Sequence, residues 1–284
     1  MTFETGSWQS ADGLTLRYRD YTGPADRPPI ICIPGLTRNA RDFEPVAHAF
    51  AGTWRLICVD LRGRGESDYA KNPATYQPAQ YAADIAALFD ALAIKQAVML
   101  GTSLGGIVTM LLAPTHGDRI AAAVLNDIGP DIEAEGLSRI KDYVGQGRSY
   151  PTWMHAAWAL KESSADIYPE AGTGDWLQLA KRAMCVSAGG RITLDYDMKI
   201  AEPFSAPPPE TPFDMWPAFR ALAERPLLTL RGERSDILSP AKLAQMQADV
   251  PAMEAVTVPA VGHPPTLDEP VALAAIARLL EKVA

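Results

Sequence analysis

Residues 97–113 read AVMLGTSLGGIVTMLLA: a short apolar run, a glycine-rich turn and a second apolar run. Residues 97–100 are few enough for a buried strand, whereas 107–113 are apolar at helical spacing. Between them lies Gly-x-Ser-x-Gly, with its serine at position 103. An abrupt strand-to-helix turn forces its corner residue toward positive φ, and glycines two positions away on either side avoid collisions. The stretch therefore predicts that Ser103 occupies the corner, with its hydroxyl exposed at the carboxyl edge of a sheet.

A serine at such a corner is placed for nucleophilic chemistry. The helix that follows offers free backbone N–H groups to a developing anion. This arrangement is a nucleophile elbow. The alternative is an ordinary glycine-rich turn, since three fixed positions in five recur by chance. The strand before the motif and the apolar helix after it favour the elbow.

Composition excludes several classes of function. The chain has 284 residues, 48% of them hydrophobic, and a formal net charge of −8. This charge, with no basic cluster, argues against nucleic acid or an anionic membrane as partner. No apolar run is long enough to span a bilayer, and the first residues lack the basic and apolar regions expected of a secretion signal. Three cysteines without metal-site spacing suit a reducing compartment. We therefore expect a cytoplasmic protein that acts on a small molecule.

Short apolar segments alternate with helical patterns along most of the chain. A hairpin is predicted over 3–20, with its turn at Asp12-Gly13. Strands are predicted at 30–33, 55–59, 97–100, 122–125, 226–230 and 254–258, and helices at 41–51, 76–93, 241–248 and 271–283. Strands that are apolar on both faces and separated by helices indicate a mostly parallel, doubly wound sheet.

The alternation stops between residues 129 and 216. This segment has no short apolar strand pattern, looks helical, and contains four of the six tryptophans. We predict a helical cap over 129–216, inserted after the sixth strand. It would divide a core domain into residues 1–128 and 217–284.

A serine hydroxyl needs a base to become nucleophilic, and the usual base is histidine. His48 lies in a helical pattern, and His116 lies at the far end of the helix that follows Ser103. His155 lies within the aromatic cap. His263 follows the last predicted strand, so its loop lies at the same sheet edge as Ser103. The order of the motif along the chain also favours His263 as the base.

Two aspartates are candidates for the carboxylate that orients the histidine. Asp236 follows the strand at 226–230, and Asp127 follows the strand at 122–125. Either loop opens at the carboxyl edge of the sheet, and either residue fits the usual chain order. We favour Asp236. Asp127 would then hold the loop that leads into the cap, whereas the other role for Asp236 is that of an acid before a helix.

Acyl transfer also needs donors for an oxyanion. The backbone N–H of Leu104, directly after the serine, is one candidate, and that of Leu36, after Pro34-Gly35, is the other. Such donors contribute on the order of 3–4 kcal/mol each in the transition state.

Taken together, these motifs give the chain a family resemblance. Pro34-Gly35, Asp60-x-Arg62-Gly63-x-Gly65-x-Ser67-Asp68, Gly101-x-Ser103-x-Gly105 and Gly262-His263 resemble the α/β-hydrolase superfamily. The likeness is to its capped bacterial serine esterase, lactonase and cofactor-free perhydrolase branch. It implies a triad of Ser103, Asp236 and His263, with no metal or organic cofactor and with 60–68 as scaffold. Many relatives have His-Gly in place of Pro34-Gly35.

The expected activity is hydrolysis of a carboxylic ester or lactone of a small, largely apolar molecule. Four residues of the cap are expected to roof the substrate pocket: Trp153, His155, Trp158 and Trp176. One alternative is carbon–carbon bond hydrolysis of ring-cleavage products, which uses the same triad. Another is a non-catalytic small-molecule receptor on the same fold. The sequence leaves the oligomeric state open.

Overall fold

The computed structural model describes residues 2–205 and 213–283, and its centre is one large mixed sheet. The strands are β1 (Glu4–Gln9), β2 (Thr15–Tyr21), β3 (Ile30–Ile33), β4 (Leu56–Asp60), β5 (Ala97–Thr102), β6 (Ile120–Asn126), β7 (Ser149–Tyr150), β8 (Met184–Val186), β9 (Ile192–Leu194), β10 (Leu227–Gly232) and β11 (Glu254–Val258). Eight of them form the sheet in the order β1-β2-β4-β3-β5-β6-β10-β11. β2 pairs antiparallel with β1 and with β4, and the remaining pairs are parallel. The predicted hairpin and mostly parallel sheet are confirmed.

Helices cover both faces of this sheet, and others lie in the segment between β6 and β10. They are α1 (Glu44–Phe50), α2 (Pro78–Ala91), α3 (Leu104–His116), α4 (Ala134–Tyr143), α5 (Trp153–Ser164), α6 (Thr173–Ala183), α7 (Glu202–Ser205), α8 (Trp216–Arg220), α9 (Pro240–Asp249) and α10 (Pro270–Leu280). Successive residues of β3 and β4 point into two different cores, one shared with α2 and α3 and the other with α1 and α10. Burial on both faces explains why these strands are apolar throughout. Among the described residues, no helix is long and apolar enough to cross a membrane.

The segment between β6 and β10 forms a cap, as predicted, but it is not purely helical. It contains α4 to α7 and a three-stranded antiparallel sheet in the order β7-β9-β8. These strands have two or three residues each, too few to produce a recognisable apolar pattern. The cap has its own small core around Trp176 and Ala180. Residues 206–212 of the predicted cap lie outside the described residues, and the boundaries 129 and 216 stay a prediction.

Polar contacts join the cap to the core, two of them through the loop that follows β4. The carboxylate of Asp195, in the cap, pairs with Arg41, and the hydroxyl of Tyr76 donates to Asp197 Oδ2 at 2.7 Å. Backbone hydrogen bonds run from Gly65 N to Asp195 O (3.1 Å) and from Asp197 N to Gly63 O (2.8 Å). The loop at 60–68, expected to be scaffold, therefore holds the cap in place.

Candidate active site

Ser103 lies at the predicted corner between β5 and α3. Its φ is +51°, a conformation that L-residues adopt only under constraint. A Cβ at Gly105 would collide with the carbonyl of Ile33, and one at Gly101 would collide with the backbone of Gly105. Both glycines of the motif are therefore required by close backbone packing. The turn is held to the neighbouring strand by a hydrogen bond from Ser103 N to Asn126 O at 3.0 Å.

A chain of hydrogen bonds begins at the serine hydroxyl. Ser103 Oγ lies 2.9 Å from His263 Nε2, and His263 Nδ1 lies 2.8 Å from Asp127 Oδ2. The histidine is 8% exposed and the aspartate is fully buried. Two segments more than 130 residues apart along the chain thus bring a hydroxyl, an imidazole and a carboxylate into line. This is the geometry in which a histidine takes a proton from a serine while a carboxylate holds its tautomer.

Asp127 is held by the sheet on which it lies. Its backbone N–H donates to Leu230 O at 2.8 Å, and its Oδ1 accepts from Gly232 N at 2.9 Å. Its φ is +58°, which turns the chain sharply after β6. One carboxylate oxygen is therefore fixed by β10, and the other is left to face the histidine.

The histidine loop is held from two sides. Gly262 N donates to Ile167 O in the cap at 2.7 Å, and the hydroxyl of Tyr168, also in the cap, donates to Pro264 O at 2.8 Å. From the sheet, Asn126 Nδ2 donates to Pro265 O at 3.0 Å. The imidazole is thus oriented by contacts from the cap and the core together.

The predicted pairing of Asp236 with His263 is corrected by this structure. The Asp236 carboxylate accepts from Arg139 Nε at 2.5 Å and from Arg139 Nη2 at 2.9 Å, on cap helix α4. Desolvation alone would raise the pKa of Asp236, but these hydrogen bonds and the Arg139 charge lower it overall, with a smaller contribution from His263. Because Arg139 occupies both oxygens, the carboxylate fastens the cap instead of orienting the histidine. The sequence contained no signal that a cap arginine would take this position.

The turn after β3 lies beside the serine. Arg38 N donates to Gly35 O at 3.1 Å, which closes the turn around Leu36. The buried Arg64 guanidinium donates from Nε to Leu36 O at 2.8 Å. Within residues 2–205 and 213–283, the backbone N–H groups of Leu36 and Leu104 have no hydrogen-bond partner. Both groups that were predicted as oxyanion donors are thus free for a ligand.

The four cap residues expected to roof the pocket have other surroundings. Trp176 is 2% exposed in the core of the cap, and its Nε1 donates to Ala171 O. Trp153 packs against that core. Trp158 is 55% exposed, and its ring meets the exposed His155 edge-on at 5.9 Å. None of the four has a hydrogen bond or ring contact to Ser103 or His263 in the described part of the chain.

Ile167 and Tyr168 instead contact the histidine loop, and the sequence analysis missed both. They lie between α5 and α6, in a stretch without a motif. Burial raises the pKa of Tyr168 despite the nearby positive charge of Arg38, so this phenol remains neutral at physiological pH. Tyr143, at the end of α4, is 44% exposed, and its phenol is also neutral at that pH.

Comparison with known proteins identifies the family of this chain. The model of the alpha/beta hydrolase family matches residues 30–276. The chain belongs to this family. The hydrolase is 59% identical to an alpha/beta hydrolase from Novosphingobium aromaticivorans whose structure is solved, with a TM-score of 0.95 and 99% of each chain covered. The predicted fold and superfamily are confirmed.

Two curated relatives cover most of the hydrolase. It is 32% identical to a 3-hydroxybutyrate-oligomer hydrolase of Cupriavidus necator, over 91% of this chain and 90% of the relative. It is 29% identical to a 2-(acetamidomethylene)succinate hydrolase of Mesorhizobium japonicum, over 88% and 85%. The activity of a hydrolase is thus established at the level of the family.

Proposed function

We propose that this hydrolase cleaves carboxylic esters of small molecules through an acyl-enzyme on Ser103. The observation that carries the proposal is the continuous hydrogen-bonded chain from Ser103 Oγ through His263 to Asp127, with steps of 2.9 and 2.8 Å. A relative named as an oligomer hydrolase of a hydroxy acid supports an ester bond as the target. Lactones have the same reacting group and belong to the same substrate class.

The first half of the reaction forms the acyl-enzyme. Ser103 Oγ attacks the ester carbonyl while His263 Nε2 takes the hydroxyl proton. The N–H groups of Leu36 and Leu104 stabilise the tetrahedral oxyanion. When the intermediate collapses, the C–O bond to the alcohol breaks and His263 returns the proton to the leaving oxygen. Asp127 keeps the imidazole in the required tautomer throughout.

The second half releases the acid. A water molecule attacks the acyl carbonyl, and His263 takes its proton as it did from the serine. The oxyanion forms at the same two N–H groups. Collapse breaks the bond to Ser103 Oγ, which recovers the proton from His263, and the carboxylic acid leaves. No group beyond these residues and water is needed to balance the reaction.

Labelling with a fluorophosphonate probe tests the proposal directly. The wild-type protein is expected to be labelled and to hydrolyse 4-nitrophenyl acetate, whereas folded Ser103→Ala loses both properties. Labelling that persists in this variant would overturn the assignment of the nucleophile. A substrate panel of aryl esters, lactones and a vinylogous diketone acid then separates ester hydrolysis from carbon–carbon bond hydrolysis. A protein that binds these compounds and turns none of them over would be a receptor.

A further inference from the structure

Arg38 lies on the same turn as the proposed oxyanion donor Leu36. Its backbone N–H closes that turn on Gly35 O. A methyl group added at Gly35 would lie 3.5 Å from Arg38 Cγ and 3.8 Å from Ser103 Cβ. The two side chains therefore border the same methyl-sized space. The aliphatic stem of Arg38 therefore lies near Ser103, on the turn that presents the Leu36 N–H.

The Arg38 guanidinium has N–H donors that no described residue accepts. Its Nε and Nη2 donate to Asp42 at 2.7 and 2.5 Å, and its side chain is 25% exposed. No described residue accepts a hydrogen bond from Nη1. Guanidinium groups have five N–H donors in a plane, so an edge of this one remains available to an acceptor from outside the protein. The pair with Asp42 holds that edge in a fixed orientation.

The groups around Arg38 suit a ligand with one negative charge. Tyr143 and Tyr168 lie within electrostatic range of it, and both are neutral phenols. Arg139 lies within range of the same two phenols and is already paired with Asp236. The Asp42 carboxylate lies directly against Arg38 and repels any anion, and the repulsion is about twice as large for a dianion such as phosphate as for a single carboxylate. A carboxylate carries one charge and accepts hydrogen bonds in the plane of the guanidinium.

We infer that Arg38 binds a free carboxylate of the substrate, so that this hydrolase acts on esters that also carry an acid group. The inference rests on the proposed ester hydrolysis and names its substrate class. Arg38 holds the carboxylate while the ester carbonyl lies at Ser103, and it takes no part in the bond-breaking steps.

Matched pairs of esters that differ only in charge test the inference. One pair has the acid on the acyl side: mono-4-nitrophenyl adipate and its methyl ester. The other has it on the alcohol side: 4-(butanoyloxy)butanoate and its methyl ester. We expect kcat/KM for the free acid to exceed that for the methyl ester at least tenfold in one pair. Arg38→Gln is expected to bring that ratio close to one, mainly by raising KM for the acid.

Arg220→Gln is the matched control. Arg220 also forms an arginine–aspartate pair, with Nε 2.8 Å from Asp249, but it lies on α8 and is mostly exposed. Its substitution is expected to leave the ratio of acid to methyl ester unchanged. If Arg38→Gln does not fold, inhibition of the wild-type protein provides the test. Hexanoate is expected to inhibit hydrolysis of a neutral ester competitively, and hexanamide is not.

The outcomes separate the inference from the proposed function. A wild-type enzyme that hydrolyses the methyl esters as well as the acids in both pairs would overturn the role of Arg38 and leave ester hydrolysis intact. An unchanged ratio in folded Arg38→Gln would do the same, since the pair with Asp42 would then be structural only. Equal inhibition by hexanoate and hexanamide also counts against it. A wild-type protein that does not react with the fluorophosphonate probe would instead overturn the proposed function itself.

Discussion

Two aspartates follow neighbouring strands of the sheet and have different surroundings. Asp127 comes directly after β6, is fully buried and lies 2.8 Å from His263 Nδ1. Asp236 comes four residues after the end of β10, is partly exposed and binds Arg139 of the cap. β6 and β10 are adjacent and parallel, so both residues open at the same edge. The comparison shows that position at a strand end does not determine which acid reaches the histidine. What determines it is the partner that each carboxylate meets.

The partners differ because the two loops are packed differently. Asp127 is clamped by Leu230 O and Gly232 N, so the sheet itself points its free oxygen at the histidine. The loop that holds Asp236 is covered by α4: Glu133 N donates to Ile237 O at 3.0 Å, and Gly136 lies against the Asp236 carbonyl. This contact brings Arg139 onto Asp236. One acid thus belongs to the core and the other to the contact between core and cap.

The largest effect is expected from Asp127→Asn. The amide favours the wrong tautomer of the histidine, and in comparable triads this lowers kcat by about 10⁴-fold. Steady-state hydrolysis of 4-nitrophenyl acetate measures the loss, and circular dichroism checks the fold. Asp236→Asn is the matched control. A larger loss of kcat in the control than in Asp127→Asn would show that Asp236, and not Asp127, orients the histidine.

The pH dependence of activity is expected to come from the histidine and not from Asp236. A histidine base works only when neutral, so protonation of the base at low pH lowers kcat/KM by about tenfold per pH unit. The pKa of Asp236 is lowered in the folded protein, so its pair with Arg139 is fully present above the unfolded value of 3.8 and is lost only as the pH falls further. Rate profiles from pH 5 to 8 for wild type and Asp236→Asn should therefore be parallel. A profile that changes shape in Asp236→Asn would contradict this assignment.

A smaller effect is expected from breaking the cap contact. Asp236→Asn and Arg139→Gln should each reduce activity less than tenfold, because the hydrogen bonds from Ser103 to Asp127 stay in place. The pair is partly exposed, so its coupling in the free energy of unfolding should be about 1 kcal/mol or less. A double-mutant cycle in urea measures that coupling. Additive effects of the two substitutions would mean that the pair does not fasten the cap.

The smallest effect is expected from Tyr168→Phe. The substitution removes the hydrogen bond to Pro264 O beside the histidine, worth about 1 kcal/mol, and should lower kcat a few-fold. Trp158→Ala removes a larger but mostly exposed side chain and serves as the control. A panel of 4-nitrophenyl esters from acetate to dodecanoate compares the two variants. If only Trp158→Ala changes the preferred acyl length, the prediction that the cap aromatics line the substrate pocket would be supported after all.

Residues whose position depends on local chemistry were predictable. The turn at Ser103 needs a glycine two residues before it and another two residues after it, so five consecutive residues are enough to recognise the motif. His263 follows a strand and lies in Gly262-His263, and the structure brings it to Ser103. The strands at the centre of the sheet are apolar throughout because they are covered on both faces, and their positions were predicted to within one or two residues. Each of these features depends on residues that are close together in the sequence.

The identity of the third residue depends on contacts that no local pattern records. Asp127 and Asp236 both follow strands, and the chain order allows either of them. Only the folded chain shows that Gly232 N holds Asp127 toward the histidine and that Arg139, almost a hundred residues away along the chain, takes Asp236. The same holds for Tyr168, which reaches Pro264 from a segment without a motif. The sequence by itself determined the fold class and the corner position of Ser103, and it placed His263 at the same sheet edge, because local sterics and burial select those residues. Only the tertiary structure decided which aspartate lies beside His263 and how the cap is held, because both depend on which distant side chains meet.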